Sequence, residues 1–379
     1  YAGVANAYKK WSGEMQGLKK TEAVTKKKKF EEDFLKLVSV DAAKKEKYTS
    51  LLSQFEKTYK DYAPLSRQYD YYTECLWGVD GFRMAAPLAN VITELRKKQA
   101  GKESRFAHVF KESMPTLPFK NYNKETDRKL CKAMLEIYKR DVERSLMPPY
   151  LDSLFETYKG NVSALCDDLY NNSVLVDNVK AMEAFSGFEA NVSRIENDPM
   201  YKLAVAINRH YQRAVIPQVT YYEKQITQLQ KEYMQGLKDN IKDKKFYPDA
   251  NGTLRVSFGK VTDYKGKDGV EFGHYTTLDG LVEKNATGED DFYAPQRLLD
   301  LHAKRDYGQY AGKDGRLHTA FIGANHTTGG NSGSPVLNAK GELIGTNFDR
   351  NWEGTMSDIM YNPAFCRNII LDIHFTLWV

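Results

Sequence analysis

Residues 327–354 concentrate the residue types that support chemistry. Their sequence is TTGGNSGSPVLNAKGELIGTNFDRNWEG, and it places Ser332 between the glycines at positions 330 and 333. Glycine permits tight turns that other residues resist, and such a turn exposes a serine hydroxyl. A Gly/Ser loop that only joins two strands is the ordinary alternative for a segment of this kind.

The hexapeptide Gly330-Asn331-Ser332-Gly333-Ser334-Pro335 has the form GxSGxP. This form resembles the segment around the nucleophile of chymotrypsin-type serine peptidases. The resemblance implies that Ser332 is the nucleophile and that the N–H groups of Gly330 and Ser332 form the oxyanion hole. The sequence PVLNAKGELIG at residues 335–345 predicts a hairpin that turns across residues 338–341. This hairpin would form the wall beside the S1 pocket.

A serine hydroxyl needs a general base, such as a histidine that a carboxylate orients. His326 lies six residues before Ser332, on the approach to the same turn, and is poorly placed to reach the serine Oγ. Other histidines of the second half have no motif around them: His274, His302, His318 and His374. Chymotrypsin-type enzymes take the histidine and aspartate from a barrel upstream of the serine, and the upstream sequence here is helical. We therefore expect an incomplete triad in this chain, which alone should hydrolyse nothing.

The elements that must position the serine fall into two parts. Residues 1–243 have few glycines and carry apolar side chains at three- and four-residue steps, which predicts an all-α domain. Helices are expected to end at Pro64 and before Met147-Pro148-Pro149, and another to run from Pro199 towards Leu237.

Residues 244–379 are expected to be mainly β. TLRVSFGKV alternates Leu254, Val256 and Phe258 with polar residues, which predicts a strand, and glycines become dense from there on. A helical part followed by an antiparallel part predicts an α+β protein with segregated domains.

Composition excludes some functions. The 379 residues allow two to three domains, and no apolar run reaches the ~18 residues that a membrane span needs. The formal charge of +5 is too weak a bias to indicate nucleic-acid binding, and the lysines at 26–29 read as a solvated helix face. The cysteine spacing predicts no metal site; Cys131 and Cys166 pair only if the fold brings them together, and buried free thiols are the alternative.

The resemblance extends beyond the serine turn. Residues 327–354, the helical region before them and the segment NPAFCRNIILDIHF after them closely resemble bacterial serine dipeptidyl peptidases of the dipeptidyl-peptidase 7 and dipeptidyl-peptidase 11 group. That family inserts an α-helical cap between the two barrels of a chymotrypsin-like peptidase. The resemblance implies that residues 1–243 are most of the cap and residues 244–379 the second barrel, truncated at its end. The first barrel, with the catalytic histidine and aspartate, is then a missing partner.

The resemblance also assigns the substrate contacts. The position matching Arg350 is Arg in members that accept Asp or Glu at P1 and Gly in members that accept apolar P1 residues. A guanidinium pairs bidentately with a carboxylate, so Arg350 implies an acidic P1 residue. Asp349, and with less support Asn6, match residues that hold the free α-amino group of the substrate. Because adjacent strand residues face opposite sides, Asp349 and Arg350 can both reach a substrate only if the chain bends there.

The expected function is thus release of N-terminal dipeptides with Asp or Glu at P1, without a metal or organic cofactor. An apolar-specific peptidase of the same family, with Arg350 directed to solvent, is the first alternative. A non-catalytic peptide-binding module is the second. Without the resemblance, Asp349-Arg350-Asn351 would be only a polar surface turn. The resemblance further implies a homodimer in the periplasm or on the surface of a Gram-negative bacterium.

Overall fold

The computed structural model describes residues 2–96, 122–248 and 251–379. These residues form two compact units, one of Val38–Lys244 and the other of the residues up to Leu37 together with Lys245–Val379. We call them the helical unit and the serine unit. The helical first segment of the chain thus belongs to the serine unit, a grouping that the expected division at residue 243 does not include.

The fold is rich in α-helices. In chain order they are α1 (Ala2–Lys20), α2 (Ala23–Val38), α3 (Ala42–Tyr71), α4 (Asp80–Ala85), α5 (Leu88–Arg96), α6 (Lys124–Asp141), α7 (Pro149–Thr157), α8 (Val162–Asn172), α9 (Asn178–Ser186), α10 (Phe188–Asn197), α11 (Pro199–His210), α12 (Ile216–Asn240), α13 (Leu278–Asn285), α14 (Gln296–Lys304) and α15 (Ile373–Trp378). In the described ranges, no helix is both long enough and apolar enough to cross a bilayer.

The helical unit has its own apolar core. Tyr138 and Tyr211 are fully buried there, and their hydroxyl oxygens lie 2.7 Å apart in a hydrogen bond. The ring of Tyr72 stacks on Tyr211 with the centroids 4.0 Å apart, and burial raises the pKa of Tyr72 to about 12. Because each buried hydroxyl needs a partner, such pairs let tyrosines occupy an interior otherwise made of aliphatic side chains.

Two of the helix boundaries agree with the sequence and one does not. The helices that follow Pro148 and Asp198 begin where the prolines predicted them, and the Asp198 carboxylate accepts a hydrogen bond of 2.9 Å from the N–H of Met200. The stop predicted at Pro64 is wrong, because α3 continues to Tyr71. Proline removes one helical hydrogen bond, but α3 packs on α12 before Pro64, where Gly236 lies against Tyr48, and on the core of the helical unit after it, through Leu65 and Tyr69.

Cys131 and Cys166 lie together in the core of the helical unit. Their sulfur atoms are 3.6 Å apart in a thiol hydrogen bond, and both residues are free cysteines without solvent exposure. The neighbouring thiol and burial together raise the pKa of Cys131. Cys75 is buried nearby, and burial raises its pKa to about 11. The fold has brought the pair together, yet the arrangement is that of buried free thiols.

Thiol labelling tests this arrangement. We expect Cys75, Cys131 and Cys166 to resist a neutral alkylating reagent at pH 8 in the native protein, because burial makes all three inaccessible and also raises the pKa of Cys75 and Cys131. All three should react after denaturation, as measured by mass spectrometry of their peptides. A Cys131–Cys166 pair that stays unlabelled in denaturant until a reductant is added would instead be a disulfide.

The serine unit carries the strands. They are β1 (Tyr264–Lys267), β2 (Val270–Phe272), β3 (Tyr275–Thr277), β4 (His318–Gly323), β5 (Pro335–Leu337), β6 (Leu343–Arg350) and β7 (Asn368–Asp372). β1 and β2 form a hairpin, and the others form one antiparallel sheet in the order β3-β4-β7-β6-β5. The described strands therefore leave β3 and β5 as open edges, and a closed barrel of chymotrypsin type is not confirmed.

The hairpin predicted for residues 335–344 is confirmed. β5 pairs with β6, and the turn is fixed by the side chain of Asn338, whose Oδ1 accepts hydrogen bonds from the N–H groups of Lys340 (2.9 Å) and Glu342 (3.0 Å). Gly341 has φ +81°, a conformation that favours glycine.

The strand predicted at residues 253–261 is wrong. Only Val261 pairs, with Gly323, and the apolar side chains of Leu254, Val256 and Phe258 are exposed. Alternation shows that a segment has an apolar face but does not supply a neighbouring strand, so no ladder forms among the described residues. Helices α13, α14 and α15 also interrupt this half, which is less rich in strands than expected.

Helix α1 is held to the serine unit by a close helical contact. It packs on a short 3₁₀ segment, Trp352–Asp358, where the indole N–H of Trp352 donates a 2.9 Å hydrogen bond to the carbonyl oxygen of Lys9. A Cβ at Gly13 would lie 2.8 Å from the Trp352 carbonyl oxygen, and one at Gly17 would meet the side chain of Met356. The two glycines let the helix approach this closely, which explains why the first segment groups with the serine unit.

Candidate active site

Ser332 lies at the tip of a turn immediately before β5. Gly330 has φ +100° and Gly333 has φ +85°, so both flanking glycines adopt conformations that side chains disfavour. Ser332 is exposed, and its Oγ donates a 3.1 Å hydrogen bond to the carbonyl oxygen of Phe348 on β6. The serine predicted from the GxSGxP form thus stands on a tight glycine turn with its hydroxyl at the surface.

The turn is fastened to β6 through Asn347. The N–H of Gly333 donates to the Asn347 carbonyl oxygen (2.8 Å), and the N–H of Asn347 donates to the Ser334 carbonyl oxygen (2.9 Å). The buried Asn347 side chain adds a 3.1 Å bond from its Nδ2 to the carbonyl oxygen of Asn331, and its Oδ1 accepts a 2.8 Å bond from Asn368 on β7. Backbone and side chain therefore hold the serine turn from both ends.

The turn leaves three N–H groups free. The N–H groups of Asn331, Gly333 and Ser334 are all hydrogen-bonded, and those of Gly329, Gly330 and Ser332 make no hydrogen bond to any residue that the structure describes. Gly330 and Ser332 are the positions from which an oxyanion hole is expected. Free backbone donors beside an exposed serine hydroxyl can stabilise the negative charge of a tetrahedral intermediate.

His326 does not serve Ser332. Its Nδ1 lies 3.1 Å from the hydroxyl of Tyr247, and its Nε2 lies 3.0 Å from the carbonyl oxygen of Ser357. The other histidines of the serine unit each lie beside an aspartate: His274 with Asp263, His302 with Asp279, His318 with Asp314, and His374 with Asp372. Within the described ranges no histidine bonds to the Ser332 hydroxyl, whose hydrogen bond is to the carbonyl oxygen of Phe348.

Arg350 ends β6 in a polar niche. Its Nη1 and Nη2 bind the two carboxylate oxygens of Asp358 at 2.6 and 3.1 Å, and Nη1 also donates to the hydroxyl of Ser357 (2.8 Å) and the carbonyl oxygen of Thr327 (3.4 Å). The side chain of Arg350 is only 16% exposed. The hydrogen bonds from Arg350 hold the pKa of Asp358 below its ordinary value, with a smaller contribution from Lys10 and with burial acting in the opposite direction.

A β-bulge provides the bend expected around Asp349. Asn347 pairs with Ile370 and Asp349 with Ile369, so Phe348 is an extra residue on β6. The extra residue shifts the alternation by one and moves Arg350 to the face of the buried Asn347, while Asp349 stays exposed. The carboxylate of Asp349 accepts a 2.8 Å hydrogen bond from the N–H of Arg350.

Asn6 lies on α1, in the same unit as the serine turn. It is exposed and sits one helical turn before Lys10, whose Nζ is 3.7 Å from the carboxylate of Asp358. Residues four apart share a helix face, so Asn6 and Lys10 point to the same side of α1. The fold thus brings the helix of Asn6 to the segment that holds Arg350, although these residues lie more than 300 positions apart.

Sequence reasoning missed the residues that support the site. Asn347 lies within residues 327–354 but carried no predicted role, and Ser357, Asp358 and Lys10 belonged to no motif. A possible signal was the density of Asn, Ser and Asp around a β-strand end that also carries an arginine, because buried polar side chains require partners.

Comparisons with known proteins identify the family of this chain. The sequence profile of the peptidase S46 family matches residues 1–379, and the chain therefore belongs to that family. The chain is 37% identical to an Asp/Glu-specific dipeptidyl-peptidase of Flavobacterium psychrophilum over 383 residues, and 31% identical to dipeptidyl-peptidase 7 of Porphyromonas gingivalis over 385 residues. Each match covers 100% of this chain and 52% of the relative.

The fold is similar to that of a solved relative. The crystal structure of Porphyromonas endodontalis DPP11 in complex with the dipeptide Arg-Glu matches with a TM-score of 0.83 and 28% sequence identity. That match covers 100% of this chain and 53% of the other. The chain thus spans about half the length of the relatives that it matches.

Removing the Asn347 side chain should loosen the serine turn. Asn347→Ala leaves the Asn368 amide and the Asn331 carbonyl without these partners, and we expect it to lower the free energy of unfolding by about 1–3 kcal/mol. Urea denaturation measures the change, with Asn251→Ala in an exposed turn as the control. An unchanged stability would show that the backbone bonds alone hold the turn.

Proposed function

We propose that the protein containing this chain is a serine dipeptidyl peptidase that releases N-terminal dipeptides with Asp or Glu at P1. The observation that carries the proposal is the exposed Ser332 hydroxyl on a glycine turn with free N–H groups, bonded to the carbonyl two residues before Arg350. Membership of the peptidase S46 family and the named Asp/Glu-specific relatives support it.

The chemistry would be acyl transfer. Ser332 Oγ attacks the carbonyl carbon of the second peptide bond, and the N–H groups of Gly330 and Ser332 stabilise the oxyanion. A histidine outside this chain takes the serine proton and passes it to the leaving amine; water then releases the dipeptide from the acyl-enzyme. The bond from Ser332 to Phe348 must be exchanged for one to that histidine before attack.

Two further contacts would set the substrate. The guanidinium of Arg350 pairs with the carboxylate of an Asp or Glu at P1, and Asp349, with Asn6 as a weaker candidate, binds the free α-amino group. Binding the amino group at a fixed distance from Ser332 restricts cleavage to the second peptide bond. The solved P. endodontalis DPP11 complexes contain the dipeptides Arg-Glu and Arg-Asp, whose second residue is acidic.

The remaining parts of the proposal concern the whole polypeptide. The serine unit would be the second barrel of a chymotrypsin-type domain, completed by a first barrel that supplies the histidine and aspartate. The helical unit would form most of a cap that limits access to the N-termini of peptides. A homodimer and a periplasmic or cell-surface location remain predictions from the family.

The apolar-specific alternative requires Arg350 to point to solvent. The guanidinium is instead mostly buried and paired with Asp358, which favours an acidic P1 residue. The binding-module alternative would keep this scaffold without turnover, and activity measurements separate it from the peptidase.

Substitutions in the full-length protein test both roles. We expect Ser332→Ala to lower kcat/KM for dipeptidyl reporters by at least ~10⁴-fold, because no other group can form the acyl-enzyme. Arg350→Gly should lower kcat/KM for Asp and Glu at P1 by about 100-fold, because the carboxylate loses its charged partner. Release of the reporter dye measures each value, with Leu at P1 for comparison.

An enzyme that stays active after Ser332→Ala would contradict the assignment of the nucleophile. Greater turnover of Leu than of Asp or Glu by the unmodified protein would support the apolar-specific alternative, and no turnover of any reporter would support the binding module.

The 379-residue chain alone should hydrolyse none of these reporters, because its Ser332 has no histidine partner among the described residues. The same dye-release assay, at the concentration that gives turnover with the full-length protein, measures this. Turnover that disappears after Ser332→Ala would show that the chain contains its own base.

A further inference from the structure

Asp358 occupies one edge of the Arg350 guanidinium. It takes one hydrogen bond from each terminal nitrogen, and Ser357 and Thr327 accept further bonds from Nη1. A guanidinium has five N–H donors arranged as a planar fork, so this clamp uses the end of the fork. Nε makes no hydrogen bond to any residue that the structure describes, which leaves the edge formed by Nε and Nη2 for a second carboxylate.

Asp358 is itself held from helix α1. The Nζ of Lys10 lies 3.7 Å from the Asp358 carboxylate and 3.6 Å from that of Glu14. Arg350, Asp358, Lys10 and Glu14 therefore form a row of alternating charges, which we call the charge row. Each inner member of the charge row has an opposite charge on both sides, and the row runs from β6 to the helix that carries Asn6.

We propose that Asp358 is a positioning residue for acidic P1 specificity: it fixes Arg350 end-on so that the Nε edge receives the substrate carboxylate. This inference rests on the proposed function. Arginine is long and flexible, and a bidentate carboxylate fixes both the position and the plane of its guanidinium. Ser357 and Thr327 fix the same plane, and Lys10 keeps Asp358 in place when a second carboxylate arrives.

The opposite role for Asp358 predicts an opposite effect. If Asp358 competed with the substrate for Arg350, removing its charge would free the guanidinium and strengthen binding of acidic substrates. If Asp358 positions Arg350, the same change lets the guanidinium swing and weakens binding. The sign of the effect therefore decides between the two roles.

The test uses the full-length protein with Asp358→Asn, which keeps the size of the side chain and removes its charge. We expect kcat/KM for Asp and Glu at P1 to fall by ~10–100-fold, mainly through a higher KM, because the P1 carboxylate meets a misplaced partner. The rate at which a neutral organophosphate labels Ser332 should not change, because that reaction involves no P1 carboxylate. Asp268→Asn, in the exposed turn between β1 and β2, is the matched control and should leave both rates at their original values.

A double-mutant cycle separates positioning from a general structural effect. In the Arg350→Gly background, Asp358→Asn should cause no further loss with acidic reporters, because there is no guanidinium left to position. An equal loss in both backgrounds, or a higher kcat/KM after Asp358→Asn alone, would overturn the inference.

Lys10→Gln provides a second approach if Asp358→Asn does not fold, because the Lys10 side chain is 47% exposed. It should raise KM for acidic reporters in the same direction by a smaller factor, and an unchanged KM would contradict the role of the charge row. A full-length protein without a preference for acidic P1 overturns the proposed function and this inference with it. A protein with that preference, unaffected by Asp358→Asn, overturns this inference alone.

Discussion

The arrangement of the site depends on one set of hydrogen bonds, those that fasten the serine turn to Asn347. A turn with two positive-φ glycines has little conformational preference of its own, because glycine adopts many backbone conformations in the unfolded chain. Ordering the turn therefore needs contacts from outside it. The backbone hydrogen bonds that Asn347 makes with Gly333 and Ser334 hold the turn in one conformation, which the glycines alone do not do. The Asn347 side chain then ties the turn to β7 through Asn368, so that three consecutive parts of the sheet share one polar contact.

The bulge at Phe348 gives this attachment its second effect. If the same residues formed a regular strand without the bulge, Arg350 would lie on the opposite face from Asn347, and its side chain would point away from Ser357 and Asp358. The same extra residue places its carbonyl oxygen where the Ser332 hydroxyl reaches it. A single β-bulge thus sets both the position of the Ser332 hydroxyl and the direction of the Arg350 guanidinium.

Local features of the fold followed from the sequence, and long-range contacts did not. The serine turn and the hairpin after it depend on glycine, asparagine and proline at fixed offsets, and the structure contains both. The helix end predicted at Pro64 was wrong because the packing of α3 keeps the helix continuous. The strand predicted at residues 253–261 was wrong because, among the described residues, only Val261 of this segment forms a β-bridge. The hydrogen bond that links α1 to the site joins Lys9 to Trp352, and neither segment has a sequence feature that predicts its contact with the other. The partner of Arg350 lies only eight residues away, but the 3₁₀ segment between them determines whether the two side chains meet.

The close seating of α1 on the segment Trp352–Asp358 has a geometric consequence. If Asn6 takes part in binding the substrate amino group, the seating of α1 on the sheet fixes the distance from Asn6 to Ser332. That distance then sets how far the scissile bond lies from the amino terminus of the peptide. A helix advances about 1.5 Å per residue and returns to the same face only after a full turn of about 5.4 Å. An extended peptide advances about 3.3–3.6 Å per residue. Insertion of one or two residues between Asn6 and Lys10 would therefore rotate Asn6 away from the site, and would not lengthen the distance to Ser332 by one peptide unit. Such insertions in α1 should abolish activity abruptly and should not gradually change the length of the peptide released.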